Sequence, residues 1–147
     1  MFKDRNDAGR QLAERLAPYR GKDAVVLALP RGGVVTGYEI ARALSLPFDI
    51  IAVRKVGAPD NPEYAIGAVD ADGTVLLNDA EAAVVDRSWL AGEIDEQKRE
   101  ARRRGSVYRA GKKPLDIAGK TALIVDDGIA TGLTMRLAVR AAKAKKA

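Results

Sequence analysis

Apolar and polar positions follow two periods along this chain, and each change of period marks an element. Asp4 to Tyr19 carries Ala8, Leu12, Ala13 and Leu16 at helical spacing and is closed by Pro18 and Gly21. Ala24 to Leu29 is then an unbroken apolar run. Such a run predicts a strand buried on both faces of a parallel sheet. Val34 to Leu46 returns to the helical period through Val35, Ile40, Ala43 and Leu44, and Phe48 to Val53 is a second strand. Strand, helix and strand in this order form a βαβ unit.

Arg54 to Ala65 has no period and contains Gly57, Pro59 and Pro62, so a mobile loop is expected there. Ala65–Val69 and Thr74–Leu77 flank Asp70-Ala71-Asp72-Gly73, the pattern of a hairpin closed by an Asp-Gly turn. Asp79 to Arg104 reads as one long helix with Val85, Trp89, Leu90 and Ile94 inward. Gly105, Gly111 and Pro114 interrupt the chain before a strand at Thr121–Val125, and Met135 to Ala147 is a final helix. The whole is one α/β domain over residues 1–147.

Composition narrows the chemistry. The chain has neither cysteine nor histidine. Disulfides, thiolate nucleophiles, Ser-His-Asp triads and the usual zinc sites are therefore excluded. Carboxylates, cations and backbone amides remain. Absence of cysteine is compatible with the cytoplasmic home expected here. No apolar run is long enough for a membrane partner. The net charge of +5 comes largely from late basic blocks: Lys98, Arg99, Arg102, Arg103 and Arg104, then Arg140, Lys143, Lys145 and Lys146. Glu93, Asp95, Glu96 and Glu100 are interleaved with the first block. A solvated helix face fits better than a nucleic-acid surface, with steering of an anionic substrate second.

Residues 124–134 read Ile-Val-Asp-Asp-Gly-Ile-Ala-Thr-Gly-Leu-Thr. An apolar strand ends in two carboxylates, and a loop of small residues leads into a helix. Small residues let backbone N–H groups close around a phosphate at a helix N-terminus. Asp126 and Asp127 repel phosphate but suit a ribose diol, or a metal ion that the phosphates also hold. The plainer alternative is a helix N-cap with a solvated neighbour.

This run resembles the phosphoribosyl-pyrophosphate (PRPP) signature of the type I phosphoribosyltransferases. The Pro30-Arg31-Gly32-Gly33 turn, the Arg54-Lys55 pair and the Gly57-Ala58-Pro59 loop are similar to a bacterial and archaeal branch of that family. The resemblance runs from about Phe2 to the end. It implies a mainly parallel sheet flanked by helices, with a β-hairpin insertion. The implied activity is transfer of a 5-phosphoribosyl group from PRPP to a small nitrogenous acceptor, with pyrophosphate released and Mg²⁺ as cofactor held mainly through PRPP. By resemblance, Asp126 and Asp127 hold the diol while Gly128, Ile129, Ala130, Thr131, Gly132, Leu133 and Thr134 cradle the 5-phosphate. Arg31, Gly32 and Gly33 form the pyrophosphate loop. Arg54 and Lys55 join the acidic pair as catalytic groups by neutralising the departing pyrophosphate, and Gly57–Ala65 is similar to the family's flexible lid.

Two motifs are rejected. Gly119-Lys120-Thr121 mimics the end of a Walker loop, but Pro114 stands where that motif needs glycine. Asp70–Gly73 lacks the glutamate of a calcium loop. Family relatives continue with another strand and a segment over the acceptor site, so the chain is expected to be C-terminally incomplete. Self-association through the open strand edge is expected with it. A PRPP or nucleotide sensor without turnover, and a hydrolase or phosphorylase of phosphorylated ribose, remain as alternative functions.

Overall fold

The computed structural model describes residues 1–147. Six strands fall into two three-stranded sheets. The first is parallel, in the order β2 (Phe48–Ile50), β1 (Ala24–Ala28), β6 (Thr121–Val125). Every residue of β1 is buried. The two-residue period of a strand divides them between two cores. Ala24 and Val26 pack with Ala13 from α1 (Arg5–Arg15) and with Ile40, Ala41 and Leu44 from α2 (Gly32–Leu44). Val25 and Leu27 pack on the other face with Ala138 and Ala142 of α5 (Leu133–Ala144). The uninterrupted apolar run is thus a strand with helices on both sides.

The second sheet is antiparallel, in the order β3 (Val53–Ala58), β4 (Asn61–Asp70), β5 (Val75–Leu77). The β4–β5 hairpin falls where the Asp-Gly turn was expected. Buried Asp70 closes it by accepting from the amides of Asp72 at 2.9 Å and Thr74 at 2.8 Å. The segment expected to be a mobile loop is instead a hairpin, because β3 and β4 pair from Val53↔Asp70 to Ala58↔Asn61. Its tip hid the strand period: Asn61 to Tyr64 are exposed and carry no apolar alternation. Arg54 and Lys55 therefore lie within β3, not at the end of a parallel strand.

The expected long helix is also two helices. Asn78 caps α3 (Asp79–Ala83), and Asp86 starts α4 (Arg87–Arg109) by accepting from the Trp89 amide at 2.9 Å. A carboxylate that satisfies an orphan N–H makes a new helix start competitive with continuation. α4 packs Ala101 against Ala28 and Ile50 of the first sheet and Ala52 of the β2–β3 connection, and Leu90 against Val56, Ile66 and Val69 of the second sheet. α5 likewise sends Leu137 to Ala68 and Leu76. These two helices join sheets that share no strand. In β2, Asp49 accepts from Arg109 Nε and from the Leu115 amide, both at 2.9 Å, which fixes the end of α4.

Candidate functional site

β1 and β6 end level with one another, Ala28 facing Val125, so the turns that follow them meet. After β1 the chain makes a cis Pro30–Arg31 peptide bond and enters α2 at Gly32. Gly33 N donates to Leu29 O at 3.0 Å, and Leu29 N to Val125 O at 2.9 Å. A Cβ on Gly33 would stand 2.5 Å from Val125 O and 3.0 Å from Asp126 Cα. A Cβ on Gly32 would fall on the Asp127 carboxylate. Backbone approach this close is open only to glycine. The Arg31–Gly33 turn and the acidic pair are therefore in direct contact.

α1 brings in a group that sequence reasoning did not find. Asp4 caps this helix through the Asp7 amide at 2.7 Å, which sets Arg5 in its first turn. Gly9 lets α1 lie close to Thr36 and Glu39 of α2. Arg5 then donates to Asp127 Oδ2 from Nη2 at 2.6 Å and from Nε at 3.1 Å. This guanidinium holds the Asp127 carboxyl below its ordinary value. Asp126 goes the other way: burial raises it most and the charge of Asp127 adds to that, while the hydrogen bond from Asp127 N at 2.8 Å opposes both. Neighbouring carboxylates with divergent proton affinities can take different roles.

The divergence has a pH signature. A depressed folded-state value stabilises the fold above the ordinary carboxylate range, about 3.9, and that contribution fades as pH falls through the folded value. Arg5→Gln should therefore shift the Asp127 carboxyl upward in an NMR titration. Because both partners are partly exposed, the stability loss at neutral pH should stay below about 1 kcal/mol and vanish in acid. Asp126→Asn should act in the opposite sense. It removes a carboxylate whose folded value is raised, so Tm should rise at neutral pH and the gain disappear below the ordinary carboxylate range. A neutral-pH Tm lower than wild type would refute the burial argument.

The plainer alternative of an N-cap is not what is found. The residue that caps α5 is Gly132, with φ of 80°, and Thr131 Oγ1 accepts weakly from Leu133 N at 3.4 Å. Between the acidic pair and the helix, the amides of Gly128, Ile129, Ala130, Thr131 and Gly132 make no hydrogen bond within the chain. Gly128 to Thr131 are exposed, and Leu133 and Thr134 begin the helix half-buried. A run of unpaired N–H groups leading to a helix N-terminus is an anion cradle in form.

The cations sit apart from this loop. Arg54 Nε donates to Gln97 Oε1 at 3.0 Å, and Lys55 Nζ pairs with Glu63 Oε2 at 2.7 Å across the β3–β4 hairpin. Both line a cleft with Gly57, Pro59, Pro62 and Trp89. Burial most of all, and then the charges of Arg104, Arg103 and Arg31, lower the hold of Arg54 on its proton, with Glu100 opposing them. No group of three acidic, His or Cys side chains could hold a metal on its own. No helix is long and apolar enough to cross a membrane.

An α/β domain with two glycine-bearing turns meeting at one sheet edge, one of them acidic and leading into a helix, has the form of the type I phosphoribosyltransferase fold. Residues 3–147 match the family model described as a phosphoribosyl transferase domain, and the chain belongs to that family. A Mycobacterium tuberculosis H37Rv protein named "Putative phosphoribosyl transferase Rv0571c" is 46% identical over 146 residues, covering 98% of this chain and 33% of that protein. Its counterpart in strain CDC 1551, named "Putative phosphoribosyl transferase MT0597", matches to the same extent. The chain thus spans one third of the length of these curated relatives. The crystal structure of TT1426 from Thermus thermophilus superposes with a TM-score of 0.78 at 42% identity, covering 98% of this chain and 69% of that one.

Proposed function

We propose that this domain binds PRPP and transfers its 5-phosphoribosyl group to a small nitrogenous acceptor. The observation that carries the reading is the run of unpaired amides from Gly128 to Gly132, placed between two carboxylates and the N-terminus of α5. The amides and the Thr131 and Thr134 hydroxyls receive the 5-phosphate, and Asp126 and Asp127 accept from the ribose hydroxyls. The bond from ribose C1 to pyrophosphate oxygen breaks and pyrophosphate leaves with the electron pair. The acceptor nitrogen forms the new C1–N bond with inversion and loses its proton.

Because Gly33 N is already bonded to Leu29 O, Arg31 and the Gly32 amide are the groups that would meet the departing pyrophosphate, with Arg54 adding positive charge. Two adjacent carboxylates without a third acidic ligand fit an ion shared with ligand phosphates better than an all-protein cage. Mg²⁺ held there by Asp126 or Asp127 would supply charge neutralisation for pyrophosphate. The β3–β4 hairpin is the element that excludes water from the cationic sugar.

Pyrophosphate release from PRPP, measured with and without a panel of nucleobases and related amines, tests the reading. Release that requires a base supports transfer. Base-independent release would favour a hydrolase, and binding without release a sensor.

A further inference from the structure

We infer that Arg5 is a positioning residue: by holding one oxygen of Asp127 it turns the other toward a ribose hydroxyl. The selectivity of the site for a sugar that keeps its diol then depends on α1, 122 positions earlier in the chain. The inference rests on the reading that the acidic pair accepts from that diol.

Each carboxylate of the pair has one oxygen engaged by the chain and one left over. Asp127 N donates to Asp126 Oδ1 at 2.8 Å. Arg5 Nη2 and Nε both end on Asp127 Oδ2, at 2.6 and 3.1 Å. Asp126 Oδ2 and Asp127 Oδ1 accept no hydrogen bond within the chain. A diol carries two hydroxyl donors on neighbouring carbons, and one free oxygen on each of two adjacent residues is the matching pair of acceptors. The terminal torsion of an aspartate is broad and roughly two-fold, so an untethered Asp127 would present its oxygens at many angles. Two donors converging on one oxygen remove that freedom before a ligand arrives, which lowers the ordering cost of binding.

An exposed ion pair taken alone would carry little, since such pairs contribute at most about 1 kcal/mol. Here the main chain of Arg5 is fixed as well. Asp4 caps α1 through the Asp7 amide. Thr36, buried in α2, donates from Oγ1 to Arg5 O at 3.3 Å. A Cβ on Gly9 would stand 2.8 Å from Thr36 O, so only glycine lets α1 lie this near. α2 starts at Gly32, where a Cβ would fall on the Asp127 carboxylate. One helix thus registers both partners: its first residue backs Asp127, and its second turn holds Arg5.

Isothermal titration calorimetry of the full chain with ribose 5-phosphate, and with tetrahydrofurfuryl phosphate, the same ring and phosphate without ring hydroxyls, provides the test. Divalent cation is left out, so that contacts to hydroxyls are read and not a shared metal ion. The readout is the ratio of the two affinities, which cancels any loss of charge or stability felt by both ligands. Arg5→Gln, which keeps a good helix former, should reduce the wild-type ratio by about tenfold, the scale of one hydrogen bond to a charged group. In an Asp127→Asn background the same substitution should leave the ratio where that background sets it, because Arg5 acts only through Asp127. A wild-type ratio kept in Arg5→Gln overturns the inference. So does a loss of equal size in both backgrounds, which would mean that Arg5 touches the sugar itself. Equal wild-type affinity for the two ligands, or binding of neither, is a different failure: it removes the diol reading first and the inference with it.

Discussion

Replacing Asp126 and Asp127 together by asparagine is expected to weaken PRPP binding by about 1–3 kcal/mol, roughly 5- to 150-fold. Asparagine keeps the shape and one acceptor oxygen at each position but removes the charge that strengthens hydrogen bonds from hydroxyls. The sign of the change discriminates between readings. If these positions only bordered a phosphate, deleting two negative charges would improve binding. Inorganic phosphate should indeed bind the variant no worse than wild type, while PRPP binds less well. Arg5 loses its partner in this variant, so Arg5→Gln is the control for that side effect. Calorimetric titration with Mg²⁺ present reads all three. Equal PRPP affinity in wild type and double variant would sink the diol assignment.

Gly33→Ala is expected to cost about 1–3 kcal/mol of stability, the range for forcing extra volume into a packed place. The added methyl would press on Val125 O at 2.5 Å and Asp126 Cα at 3.0 Å. Both neighbours are backbone, so no rotamer change relieves the contact. The acidic pair has to move instead, and PRPP affinity should fall with stability. Gly128→Ala supplies the contrast, because nothing lies within 4 Å of a Cβ there. Its Tm should match wild type to within the effect of an ordinary surface change. If thermal melts place the two variants together, the turns do not meet as described.

What could be read in advance was whatever is written locally. β6 has the bounds that its apolar run predicts, and the Asp70–Gly73 turn joins β4 to β5 as its residues require. The βαβ unit and the final helix follow from period alone. Two local signals misled. Gly57, Pro59 and Pro62 have the composition of a loop, yet pairing with β4 outweighs it. The helix formers after Asp79 run on without a glycine or proline until Gly92, and only the side chain of Asp86 divides α3 from α4. The strand–loop–helix form around Asp126 to Thr134 was legible because its parts are contiguous. Arg5 on Asp127 and the arginines around Arg54 were not, because each joins residues far apart in the chain. Arg54 and Lys55, adjacent in sequence, have different partners: one bonds to Gln97 and the other to Glu63.

The position of β1 has a consequence for how the chain is made. Within this domain the wholly buried strand is made well before β6, and β2 can pair with one edge soon afterwards. Its other edge belongs to β6, far later in the sequence. Throughout synthesis of the second sheet and of α4, the most apolar strand of the protein presents an unpaired edge to the cell. Parallel pairs that wait on distant sequence close slowly and leave such edges open to other chains. The nascent domain is therefore most exposed to aggregation just before β6 and the loop that follows it are translated. Pairing of β6 with β1 and the meeting of the two turns become one event, so a domain whose turns have met has also closed that edge.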